Sequence, residues 1–154
     1  MVIHLDQEVM LLVYNIEILP NTEIPDKEIL FRYCRPEALP PDQDELPFAL
    51  FTDGELSCDW SLFQKTPESS YQVVSAGKKV IIAITICDEI RNPKNPPYIG
   101  EIQPTWKQSI YYDPVLDDNE IGGKNIAHSV IKGKKKPQVQ VIIRDNSTIY
   151  KIVQ

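Results

Sequence analysis

The most continuous apolar run in the chain, VIIAITIC from Val80 to Cys87, is bounded by Lys79 and Asp88. It is β-branched and does not alternate, which predicts a strand covered on both faces. Other stretches also carry a β signature. EVMLLVYNIEIL, from Glu8 to Leu19, ends in an alternating, β-branched half, and this favours one strand over a helix capped by Asp6. EILFRYC, from Glu28 to Cys34, reads as a strand closed by Pro36, and the run after Trp106 in WKQSIYYDPV as a short strand stopped by Pro114. The tail QVQVIIRDNSTIYKIV alternates on both sides of Asp145 and Asn146, residues that tolerate turns. It predicts a β-hairpin over Gln138 to Val153.

One helix is well signalled. Thr66 suits the N-cap, Pro67 the first helical position, Glu68 the positive helix end and Gly77 the stop, so a helix is expected from Pro67 to Ala76. The 13 prolines against 6 glycines imply stiff, irregular connections. They concentrate in two connectors near 35–48 (RPEALPPDQDELPF) and 92–104 (NPKNPPYIGEIQP). The expected architecture is α+β: one β-rich domain over residues 1–154 with short strands, one helix and a C-terminal β-hairpin.

Length and charge narrow the classes. A chain of 154 residues suits one domain, able to bury about two-thirds of its unfolded surface without metal or disulfide support. The net charge of -6 argues against nucleic acid, whose binding needs clustered Lys and Arg. The opening MVIHLDQ lacks a basic leader, and no apolar run reaches the ~18 residues of a membrane span, so a cytoplasmic protein with no membrane partner is expected. Cys34, Cys58 and Cys87 form no CxxC pair and read as free thiols. Gly122-Gly123 lies in no phosphate-loop spacing, and Asp113, Asp117, Asp118 and Glu120 miss the alternate positions of a calcium loop. No cofactor or metal is therefore expected.

The candidate chemistry centres on NIAHSVIKGKKK, from Asn125 to Lys136. His128, one of two histidines, is the best general base; Ser129 or a cysteine is the available nucleophile, and Asp59 or Asp113 the orienting acid. The competing role is a histidine that bonds backbone carbonyls and braces a turn. Lys132, Lys134, Lys135 and Lys136 form a basic knob suited to docking an acidic partner. Trp60, in GELSCDWSLF, is either a core anchor or, if exposed, an interface hot spot.

Three segments in order, FRYCRP from Phe31, LSCDWSLFQKTPES from Leu56 and DPVLDDNEIGGKNIAHSVIKG from Asp113, carry a resemblance. The chain resembles a diffuse group of small bacterial proteins near conflict and antiviral-defence genes. In that group an arginine-bearing strand, an LSxDW segment before a TPEE-like helix start, and a DP…NxAH…G segment recur. The resemblance aligns Arg32, Asp59, Trp60, Asn125 and His128 with the recurring positions, while TPES and the GGK before the histidine depart from the pattern. It implies a genomic context and no reaction. The leading expectation is a non-enzymatic accessory or adaptor protein that binds another protein of its locus. The rival is a small hydrolase or nuclease-like enzyme using His128 with Arg32 and Asp59, and a third reading is an immunity-type inhibitor with an acidic surface. If His128, Arg32 and Asp59 share an open cleft, the enzyme gains.

Overall fold

A computed structural model describes residues 12–13, 16–41, 45–117 and 123–154. Its centre is a six-stranded sheet built from β1 (Ile29–Cys34), β2 (Glu55–Trp60), β3 (Val80–Thr85), β4 (Ser109–Tyr112), β5 (His128–Lys132) and β6 (Ser147–Ile152). The spatial order is β6-β3-β1-β2-β5-β4, and each neighbouring pair is antiparallel. Short helices lie at Tyr71–Val74 (α1) and Asp88–Arg91 (α2), and a longer one at Pro137–Asp145 (α3). The fold is thus α+β and β-rich. Among the described residues no helix is long and apolar enough to cross a membrane.

The two faces of the sheet differ. One carries the main core: Leu30, Leu56, Ile82, Ile84, Ile110 and Ile131 are buried beneath Ile90 of α2, Val139, Ile142 and Ile143 of α3, and Phe51. The other carries a small cluster of Phe31, Tyr33, Ile81 and Val73 of α1. Beyond α1 that second face turns polar. This follows from register: Ala83 opposes Phe31, Phe31 opposes Asp59, and Asp59 opposes His128, so one row runs from an apolar end to a titratable end.

Several expectations are corrected. The tail is not a hairpin, because its first arm is α3; only β6 is a strand. Val139, Ile142 and Ile143 fall at i, i+3 and i+4 and are all fully buried, so the helical period wins against the core, with Pro137 in the first turn. Asn146, read as a hairpin turn, is the C-cap residue, its N–H reaching the Ile143 and Arg144 carbonyls. Glu8 to Leu19 is not one strand, since Leu12–Val13 pairs antiparallel with Ile16–Glu17; residues 8–11 and 14–15 lie outside those described.

The helix read as Pro67 to Ala76 splits into a 3-10 turn at Pro67–Ser69 and α1. Ser70, in extended conformation, interrupts it and caps α1 by accepting from the Gln72 N–H, whereas the Thr66 side chain caps nothing. Gly77 does take the positive φ of 72° that a stop requires.

Candidate functional site

The cleft is built where β1 and β2 part. Cα pairing between them stops at Leu30 with Trp60 and Phe31 with Asp59. Beyond that point the Arg32 guanidinium enters the gap and donates from Nη1 to the Ser57 carbonyl at 3.1 Å. A side chain thereby serves an acceptor that the ladder leaves open.

Strand alternation puts Ser57 and Asp59 on one face, and Asp59 opposes His128 across β2 and β5. Ser57 and His128 are therefore diagonal neighbours, close enough for side chains to meet. Ser57 Oγ lies 3.0 Å from His128 Nε2. Ser57 is exposed, and the His128 side chain retains 20% exposure.

The other ring nitrogen decides the chemistry. His128 Nδ1 lies 2.7 Å from the Asp113 carbonyl oxygen, which can only accept. In the neutral ring Nδ1 therefore carries the proton, and Nε2 holds the lone pair that accepts from the Ser57 hydroxyl. The Asp113 carboxylate adds a second anchor at 3.5 Å from Nδ1. Asp113 is itself held by its N–H, which donates to the His128 carbonyl at 3.0 Å and extends the pairing of β4 with β5.

Beneath this pair runs a satisfied polar network. Asp59 is 2% exposed; its carboxylate accepts from Tyr33 Oη at 2.9 Å and from Asn125 Nδ2 at 2.8 Å. Asn125 Oδ1 accepts in turn from the Ala127 N–H at 3.1 Å. Burial, and next the Asp59 charge, raise the Tyr33 hydroxyl far above the usual tyrosine range, so it donates and does not ionise.

Arg32, Tyr33, Ser57, Asp59, Asn125 and His128 line one small cleft of about 60 Å3, together with Cys58, Gln72 and Lys78. A larger cleft of about 340 Å3 shares Ser57, Gln72, Asn125 and His128 with it and extends along Gln64, Ser69 and Tyr71. Burial is the first cause holding Lys78 below the ordinary lysine value, and the charges of Arg32 and Arg35 are the next. A more voluminous cleft, about 600 Å3, lies elsewhere, between Leu39, Leu46, Pro47 and the α3–β6 junction. Among the described residues no histidine or cysteine lines it, so size and chemistry do not coincide there.

His128, Arg32 and Asp59 thus share an open cleft, and of the two acids the sequence offers as orienting group, Asp59 or Asp113, only Asp113 stands beside the imidazole. Asp59 bonds Tyr33 and Asn125, and the acid beside the imidazole is Asp113. The hydroxyl on the imidazole is Ser57, which sequence reasoning missed; Ser129 is fully buried and donates to the Ala127 carbonyl. The one signal for Ser57 is its place two residues before Asp59 on a strand, and this becomes useful only once β5 is known to be the neighbour.

The cysteines are also set aside as nucleophiles. Burial pushes the thiols of Cys58 and Cys87 up to about 12 and about 11 and raises that of Cys34, so at neutral pH all three hold their protons. All three are free.

Trp60 belongs to the core. It is 2% exposed, donates from Nε1 to Glu28 at 2.8 Å and packs edge-on against Phe63 and Tyr112 at centroid distances of 5.4 and 5.8 Å, so it offers no aromatic face to a partner. The basic knob is likewise divided. Lys135 Nζ turns inward to the carbonyls of Ile131 at 2.9 Å, Gly133 at 3.0 Å and Gly54 at 3.4 Å, and Lys132 pairs with Glu55 at 3.3 Å. Lys134 stays exposed and Lys136 is half-buried at the start of α3. Among the described residues no three His, Cys, Asp or Glu side chains converge to hold a metal ion.

These features define a β-rich α+β domain in which a serine hydroxyl meets a histidine ring at the mouth of a cleft lined by Arg32 and Lys78. No family model, curated protein or solved structure matches the chain.

Proposed function

We propose that the chain is a small serine-type hydrolase in which Ser57 is the nucleophile and His128 its general base. The observation that supports this reading is the pair of bonds on one imidazole: Asp113 O at 2.7 Å fixes the tautomer, and Ser57 Oγ at 3.0 Å meets the bare nitrogen. Nucleophile, base and orienting group are then in sequence. In the first half-reaction Ser57 Oγ bonds to an acyl carbon and its proton passes to His128 Nε2. That proton then leaves with the departing group. In the second half-reaction water attacks, loses a proton to the same nitrogen and releases the acid and free Ser57.

The test is reaction with a fluorophosphonate, which marks activated serines whatever their natural substrate. The expected result is one adduct, on Ser57 by peptide mass spectrometry, absent from Ser57→Ala. In His128→Ala labelling should slow by at least about 10²-fold, the contribution of a positioned base. Folded protein that leaves Ser57 unmodified would refute the reading.

A second reading, an accessory protein that binds another protein of its locus, draws support from a separate surface. β6 is an edge of the sheet, and Ile149, Tyr150 and Ile152 on it are about half exposed. An apolar edge strand is a template for a partner strand. Under this reading Tyr150→Lys with Ile152→Lys abolishes co-purification with the locus partner while fluorophosphonate labelling is unchanged; retained co-purification removes it.

A further inference from the structure

We infer that the cleft takes a polar ligand with a terminal carboxylate or phosphate, the anionic group seated between Arg32 and Lys78 and the remainder lying past His128. The inference rests on the hydrolase reading for the position of the scissile bond, at Ser57.

Charge is the first support. Acidic residues outnumber basic ones by 22 to 16 in the whole chain, yet Arg32 and Lys78 both line this cleft, and the charges of Arg32 and Arg35 both act on Lys78. Among the described residues none of the three forms an ion pair with a carboxylate, while Arg91 and Arg144 each do. Among the described residues the one acid lining the small cleft, Asp59, is buried and already accepts from Tyr33 and Asn125. Arg32 commits one N–H to the Ser57 carbonyl, and a guanidinium has five. Several donors are left to meet an anion, in the forked geometry that suits carboxylate and phosphate.

Size is the second support. The cationic cleft measures about 60 Å3. A water-sized group needs roughly 10–15 Å3 of such space, so the cleft fits a handful of heavy atoms and excludes a ring. The larger cleft beyond, about 340 Å3, is lined mostly by polar groups: Gln64, Ser69, Ser70, Gln72 and Asn125. Ser57, Gln72 and His128 border both spaces, so a ligand anchored by its anionic end in the first lies across the serine with a polar body in the second.

The experiment uses the full chain as Ser57→Ala, so that no turnover intervenes, titrated by calorimetry with phenyl phosphate, phenylacetate and neutral benzyl alcohol. One of the two anions should bind saturably and benzyl alcohol should not; the tighter anion identifies the group. Lys78→Gln and Arg32→Gln in the same background should each weaken binding about tenfold or more, as expected for loss of a charge-assisted contact. If neither anion binds better than benzyl alcohol, or if Lys78→Gln leaves the affinity unchanged, the inference falls. Failure here leaves Ser57 labelling by fluorophosphonate untouched, and failure of that labelling leaves anion binding by Ser57→Ala untouched, so the two ideas fail separately.

Discussion

Ser57 and His128 stand 71 residues apart in the chain and 3.0 Å apart in space, joined diagonally across β2 and β5. The imidazole has two duties in this arrangement. Through Nδ1 it braces the end of β4, and through Nε2 it meets the serine. A single substitution separates them. His128→Ala should cost about 1 kcal/mol in urea unfolding, the net worth of an ordinary hydrogen bond in a partly exposed place, and should slow serine labelling far more than so small a loss of stability explains. A variant that loses several kcal/mol and labels normally would leave only the bracing duty.

Asp59 should matter more to stability than His128. Removing its carboxylate strands the Tyr33 hydroxyl and the Asn125 amide in a buried place, so Asp59→Ala should cost about 2–3 kcal/mol. Tyr33→Phe should cost about 1 kcal/mol, and the double variant less than the sum, because both lose the same bond. Chemical denaturation of the four proteins completes the cycle.

Trp60→Ala should be among the most damaging single changes, about 3–5 kcal/mol by denaturant midpoint. It empties the space against Phe63 and Tyr112 and frees Glu28 from its bond. A near-neutral result would mean that Trp60 is not buried.

The lysine cluster should respond unevenly to charge reversal. Lys134→Glu, at an exposed position, should stay within about 0.5 kcal/mol of wild type. Lys135→Glu sets a carboxylate against the carbonyl oxygens of Ile131, Gly133 and Gly54 and should lower the melting temperature clearly. Equal effects would show that Lys135 is not held inward.

Thiol reactivity carries a pH dependence. With its pKa pushed up to about 11 by burial, Cys87 in the folded protein is about one part in a thousand thiolate at pH 8. Its alkylation should therefore accelerate about tenfold per pH unit between pH 8 and 10, since the reactive form is the deprotonated one. Cys58, pushed to about 12 and fully enclosed, should react only on unfolding, when all three thiols become titratable. A Cys87 rate that levels off near pH 9 would contradict the shift.

What the sequence determined by itself is local. VIIAITIC supplied β3, EILFRYC β1 and the run after Trp106 β4, because β-branched and aromatic side chains mark each segment, and nearby prolines bound the last two, without reference to any other. Gly77 likewise takes a positive φ in the turn after α1 through its own backbone freedom. QVQVII is a counter-example: its apolar residues satisfy both period 2 and the i, i+3, i+4 spacing, and what settled it was a core in need of cover by Val139, Ile142 and Ile143. The site depended still more on tertiary structure. Arg32, Asp59 and His128 could be singled out in the sequence, with Asp113 as one of two acids for the histidine, but Ser57, Tyr33 and Asn125 as their partners could not. Ser57 meets His128, and Asp59 is diverted to Tyr33 and Asn125, through strand order and register, which are set by long-range pairing energies that no window of neighbouring residues contains.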